Sequence, residues 1–168
     1  SIEEHMDVLE YAVKRIDGRV PAIAGTGGND TAVAIDMTRG ACEMGYDACL
    51  VVTPYYNKTT QAGLVTMYKA IADASTKPLI LYNVPSRTGI NIDVSTYEAL
   101  ADYPNIKAIK EANSNISAIV EAAARVGDRL DIYSGNDDQI VPILSVGGKG
   151  VISVLSNVVP KRTVEMCR

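Results

Sequence analysis

An α/β fold built on a parallel sheet is what this sequence predicts, and three observations carry that reading. Six short apolar segments recur along the 168 residues, with first residues 28, 30, 28, 24 and 21 positions apart. Each interval holds a helical pattern, so strand and helix alternate as in a β/α array. The apolar segments also lack clean polar alternation, as strands covered on both faces require.

The first helix begins at Ser1, which has the Ser-x-x-Glu spacing of a capping box with Glu4; Met6, Leu9, Val13 and Ile16 then recur at helical intervals. Gly18 and Arg19-Val20-Pro21 end it and lead into the first strand, Val20–Ala24. A helix over 31–44 stops at Gly45 and is followed by the strand Ala48–Thr53. The third strand is Pro78–Tyr82. Ser95 and Glu98 repeat the capping-box spacing ahead of the fourth strand, Ile106–Lys110. A helix over 116–126 stops at Gly127, and the last two strands are Leu130–Ser134 and Val151–Val154. No linker, low-complexity stretch or charge block divides the chain, so residues 1–168 are read as one domain. Six evenly spaced modules without a long crossover favour a barrel over a doubly wound sheet.

Composition narrows the function. Apolar residues make up 47% and charged residues 21%, as in a globular chain. The apolar runs break well before 18 residues, so no membrane span is expected. The net charge is −4 without a basic block, which argues against a nucleic-acid partner. The single histidine, His5, excludes a multi-histidine metal site within the chain. Three cysteines without Cys-x-x-Cys spacing fit a reducing cytoplasm better than a disulfide scaffold. Phe and Trp are absent and Tyr occurs nine times, so aromatic chemistry here is tyrosine chemistry.

The polar and glycine-rich segments follow the strands: Gly25-Thr-Gly-Gly-Asn-Asp30, Pro54-Tyr-Tyr-Asn57, Asn83-Val-Pro-Ser-Arg-Thr-Gly89, Glu111-Ala-Asn-Ser114 and Gly135-Asn-Asp-Asp138. Parallel α/β folds bind ligands at that end of the sheet. Strand parity places Ile106, Ala108 and Lys110 on one face and Lys107 and Ile109 on the other. A lysine closing an apolar strand face loses hydration, which lowers its pKa and turns it into an amine nucleophile for carbonyls. The plainer alternative is a lysine reaching solvent or pairing with Glu111. Tyr82 shares a face with Pro78 and Ile80, opposite Leu79 and Leu81. It therefore points toward the next strand's Lys110 as a proton shuttle or, alternatively, as a core tyrosine. Arg87 offers a planar fork for a carboxylate. Of the adjacent pair Tyr55 and Tyr56, one is read as buried and one as lying on a subunit contact. Gly25–Asp30 falls short of a dinucleotide fingerprint, because Asp30 occupies the third glycine position. Asp137 and Asp138 are read as helix-start residues, not metal ligands.

Gly25-Thr-Gly27, Val52-Thr-Pro-Tyr-Tyr-Asn57, Tyr82-Asn-Val-Pro-Ser-Arg-Thr-Gly89, Ile106-Lys-Ala-Ile-Lys-Glu-Ala112 and Gly147-Gly-Lys-Gly-Val-Ile-Ser153, in this order and spacing, resemble the dihydrodipicolinate synthase family along essentially the whole chain. The resemblance implies a (β/α)8 TIM barrel followed by helices, and a class I aldolase-type lyase of lysine and diaminopimelate biosynthesis. Such an enzyme condenses pyruvate with aspartate semialdehyde and needs no cofactor or metal. It further implies that Lys110 forms the Schiff base, Tyr82 relays protons and Arg87 holds the semialdehyde carboxylate. Tyr56 would reach a neighbouring subunit's site in a homo-oligomer, and the backbone of Gly135 and Ile152 would line the pocket. His5, Asn29 and Tyr55 match positions that bind allosteric lysine in some members, but Val33 stands where those carry an acid. By the same resemblance the first two barrel strands, a threonine of the proton relay and the C-terminal helices lie outside the sequence. The chain is thus expected to be an incomplete barrel of about six strands, truncated at both ends, with poor activity alone and a tendency to self-associate. A keto-deoxy-sugar-acid or sialic-acid lyase and an inactive scaffold are the alternatives.

Overall fold

The computed structural model describes residues 1–168. Helix α1 (Ile2–Ile16) carries the expected capping box: the Ser1 hydroxyl accepts from the Glu4 backbone N–H, and the Glu4 carboxylate accepts from the N-terminal ammonium. After it come β1 (Ile23–Gly25), α2 (Thr31–Glu43), β2 (Ala48–Val52), α3 (Gln61–Ala74) and β3 (Leu79–Asn83). The chain continues through α4 (Pro85–Thr88), α5 (Val94–Ala101), β4 (Ile106–Glu111), α6 (Ile116–Val126) and β5 (Asp131–Ser134). A 3₁₀ turn over Asp137–Gln139, α7 (Ile140–Ser145), β6 (Gly150–Val151), a second 3₁₀ turn over Leu155–Asn157 and α8 (Pro160–Met166) complete it.

All six strands are parallel and pair in sequence order, β1-β2-β3-β4-β5-β6. A doubly wound sheet would reverse direction at a switch point; this order keeps winding one way, as a barrel wall does. The wall is open, with β1 and β6 at its edges. The core lies between the sheet and its helices. Cys49, Val51, Leu79, Leu81, Ile109 and Ile132 point outward and meet Met37, Leu64, Ile71, Leu100, Ile119 and Val126. The opposite, concave face carries Leu50, Val52, Tyr82, Lys110 and Tyr133, none fully buried.

Several sequence expectations shift. The first strand starts at Ile23 rather than Val20, because Pro21 has no N–H and the Ala22 N–H is taken by the Asp47 carboxylate at 2.7 Å. The last strand is only Gly150–Val151; Ile152 still donates to the Ser134 carbonyl, and the chain then turns into the 3₁₀ segment. The second, fourth and fifth strands differ from expectation by one residue at one end, and the third is shifted by one residue at both. Asp93, not Ser95, precedes α5, and Ser95 lies inside its first turn. Asp137 and Asp138 likewise lie within the 3₁₀ turn that follows Asn136.

The face assignment in β4 needs a larger correction. Leu79 pairs with Ile106 but Ile80 pairs with Ala108, so β4 holds one extra residue, Lys107, in a bulge. Ile106 therefore joins Ile109 in the helix-side core, and only Ala108 and Lys110 share the concave face.

Candidate active site

The concave face gathers its chemistry at the carboxyl ends of β3 and β4. Tyr82 and Lys110 are direct register partners, and the Lys110 Nζ lies 4.1 Å from the centre of the Tyr82 ring. Partial burial lowers the Lys110 pKa, and the negative charge of Asp137 works against that shift. Partial burial raises the Tyr82 phenol, with Arg87 pulling the other way. At neutral pH this leaves a protonated phenol beside an amine that gives up its proton more readily than an exposed lysine does. The alternative pairing of Lys110 with Glu111 is absent: the two side chains leave opposite faces of β4, and Glu111 turns into the helix-side core.

Other predicted residues gather beside Tyr82, in a cleft that Lys110 itself does not line. A cleft of about 560 Å³ joins Tyr82 to Arg87, Tyr55 and His5, over a floor of Gly25, Gly27, Leu50 and Val52. Gly27 is required there, since a Cβ would run into the Val52 backbone nitrogen. Arg87 is exposed in the short helix α4, free to meet an anion entering the cleft. Gly135 lies against the nucleophile candidate: a Cβ there would sit 2.7 Å from the Ala112 Cβ and 3.2 Å from the Lys110 Cε. Ile152 follows β6, two strands away from Lys110.

Tyr56 does not line the cleft. It is 91% exposed and its backbone takes the left-handed conformation, with φ 69°. Such a conformation is uncommon for a bulky residue and marks a tight turn. His5, Asn29 and Tyr55 do come together, in a second hollow of about 370 Å³ that also includes Val33. The Asn29 carbonyl there accepts from the Asn57 side chain at 2.8 Å.

One feature escapes the sequence reading. Glu111 is 3% exposed. Its Oε1 accepts from the Asn113 N–H and the Asn83 side-chain amide at 2.8 and 2.9 Å. Its Oε2 accepts from the Tyr97 hydroxyl at 2.8 Å. Burial raises its pKa, and the Tyr97, Asn113 and Asn83 donors counter the rise. The available signal was parity: residues after Tyr82 and Lys110 fall on the aliphatic face, where Asn and Glu are out of place.

The whole chain, residues 1–168, matches the model of the Dihydrodipicolinate synthetase family. It is 53% identical over 167 residues to 4-hydroxy-tetrahydrodipicolinate synthase 1 of Clostridium acetobutylicum, covering 99% of this chain and 57% of that protein. With the synthase of Caldicellulosiruptor bescii it shares 55% identity over 161 residues, covering 96% of the chain and 54% of the relative. The crystal structure of dihydrodipicolinate synthase from Aquifex aeolicus superposes with a TM-score of 0.95 at 46% identity, over 98% of this chain and 57% of that one. A pyruvate complex of the Acinetobacter baumannii enzyme gives 0.96 at 44% identity, over 99% and 57%. The chain thus spans a little over half the length of these relatives.

Proposed function

The chain belongs to the dihydrodipicolinate synthetase family, and from that premise we propose that it carries the reacting residues of a lyase that condenses pyruvate with aspartate semialdehyde. The observation that supports this most is the Lys110 amine, 4.1 Å from the Tyr82 ring centre at the carboxyl ends of adjacent strands. The neutral amine attacks the pyruvate keto carbon, water leaves, and a protonated imine forms on Lys110. Loss of a methyl proton gives an enamine whose carbon bonds to the semialdehyde's aldehyde carbon. The amino group of the semialdehyde then displaces Lys110 as the ring closes, which restores the free amine. Tyr82 is assigned the proton transfers. Arg87 is assigned the semialdehyde carboxylate, which its fork can hold by two parallel hydrogen bonds. The amine itself activates the keto group, so the reading calls for no metal or cofactor.

Gly135 and Ile152 are assigned to the pocket wall. Tyr56 is assigned to a second subunit's site, which its exposure supports, so the functional form is a homo-oligomer. The same reading places the protein among cytoplasmic enzymes of amino-acid biosynthesis. The synthase names of the relatives at 50% identity and above favour this substrate pair over a keto-deoxy sugar acid.

The test is a condensation assay with both substrates, on the chain alone and on a chimera in which it replaces the aligned stretch of the Clostridium acetobutylicum relative. The chimera is expected to turn over pyruvate and aspartate semialdehyde. Cleavage of a keto-deoxy sugar acid instead would overturn the substrate assignment.

Lysine is expected to bind weakly in the hollow of His5, Asn29 and Tyr55, because Val33 supplies no charge for the ammonium that would be desolvated there, and the acid that does line the hollow, Asp30, is engaged in accepting from the Ala32 and Val33 N–H at the start of α2. Calorimetry recording tight lysine binding that Asn29→Ala removes would contradict this.

A further inference from the structure

We infer that Asn83 and Glu111 act as a positioning pair for the proposed chemistry: hydrogen-bonded to each other on the helix side of the sheet, they fix the strand register that holds Tyr82 against Lys110 on the concave side. This rests on the reading of Lys110 as the imine-forming residue.

Because β4 gains a residue at Lys107, the pairing with β3 changes phase within two residues of the strand start. A one-residue difference in register sends every later side chain to the opposite face. Had β4 kept the unshifted phase, the concave position beside Tyr82 would be held by Ile109. Something must therefore pin the shifted register at the far end of the strand, where the chemistry lies. Asn83 and Glu111 are register partners there, one step beyond Tyr82 and Lys110. The Asn83 amide spans both Glu111 oxygens, at 2.9 and 3.2 Å.

Both side chains are themselves held. The Asn83 Oδ1 accepts from the Ile92 N–H at 3.1 Å, and its amide also donates to Asn91 at 2.9 Å. Tyr97 from α5 and the Asn113 backbone fix the carboxylate. None of the chain's ion pairs includes Glu111. A buried carboxylate without a cation is a costly choice for stability alone. Its directional bonds supply what an aliphatic residue would not, a fixed register.

The test reads Lys110 directly, without pyruvate. Limiting 1-fluoro-2,4-dinitrobenzene, followed by peptide mapping across pH, gives the labelling midpoint of each lysine in the chain. Lys110 is expected to label through a midpoint below that of an exposed lysine. Asn83→Ala and Glu111→Gln should both move the Lys110 midpoint up toward that of an exposed lysine, as the amine escapes to water. Removing the Glu111 charge without movement would push the midpoint down, so the sign separates positioning from simple electrostatics. The exchange Asn83→Asp with Glu111→Gln keeps one amide facing one carboxylate but loses the donation to Asn91, and should bring the midpoint part of the way back. Borohydride trapping of pyruvate should fall about 10²-fold in the single variants, the scale of an ångström-sized misplacement.

If Asn83→Ala does not fold, Tyr97→Phe removes only one hydroxyl and should shift the midpoint in the same direction by less. Folded variants whose Lys110 midpoint stays put or falls would overturn the inference. Failure of the unsubstituted chain to trap pyruvate would instead defeat the functional reading and leave the labelling result standing.

Discussion

Lys110→Ala is expected to take turnover of pyruvate and aspartate semialdehyde below detection in the chimera. Deleting the nucleophile of a covalent mechanism removes the intermediate itself, and the best-measured cases lose on the order of 10⁶-fold in kcat. No other lysine sits on a concave-face strand position. Lys107 occupies the bulge at the opposite end of β4 and is exposed, Lys149 precedes β6 at the entry to its strand, and Lys58 lies exposed in the loop after β2 with its side chain beside Gly89. An alanine there also removes the cation above the Tyr82 ring, a contact worth about 0.5–2 kcal/mol. Because that side chain is only half-buried, the fold should survive. Steady-state assay with circular dichroism as control checks both halves, and residual turnover near the parent rate would show that the nucleophile lies elsewhere.

Tyr82→Phe should separate binding from turnover. The ring remains, so the stacking surface above which the Lys110 amine sits is kept, and the pyruvate adduct should still form. The lost hydroxyl removes a general acid–base group, which typically contributes about 10²–10⁴-fold. Condensation is therefore expected to slow by that range while reductive trapping on Lys110 persists. Burial raises the phenol's pKa, so the parent should keep this proton donor as pH rises past the range where an exposed tyrosine loses its own. An unchanged condensation rate would return Tyr82 to a packing role.

Much of this site can be read from the sequence because parallel β/α folds encode it locally. Apolar segments ending in polar loops place Tyr82, Lys110 and Gly135 at one end of the sheet. Parity counted back from Lys110 places Ala108 correctly on its face. It fails at Ile106 because parity assumes an unbroken pleat, and the extra residue at Lys107 is a property of the strand pair, not of either strand alone. The Glu111 network was hidden for a related reason. Asn83, Tyr97 and Glu111 come from three elements, 14 or 28 residues apart in the hydrogen bonds they make, and no single segment announces them. Strand ends moved where a backbone N–H was diverted, as Ala22 is to Asp47. The start of α5 moved because capping-box spacing occurs inside helices as readily as at their ends; Ser95 and Glu98 both belong to its turns. The edges are the other gap. β1 and β6 are short and lack an outer neighbour, and Ile23 and Val154 near them are 45% and 74% exposed. Unpaired apolar edges invite pairing with another strand.

Capture of pyruvate by Lys110 is the step on which all the proposed chemistry depends. Incubating the chain with isotopically labelled pyruvate and borohydride, then mapping the peptides, tests this most directly. The expected result is one reduced adduct, on Lys110, with a rate that rises with pH through a midpoint below that of an exposed lysine. Label on Lys107 or Lys149, or protein that reduction leaves unlabelled, would contradict it.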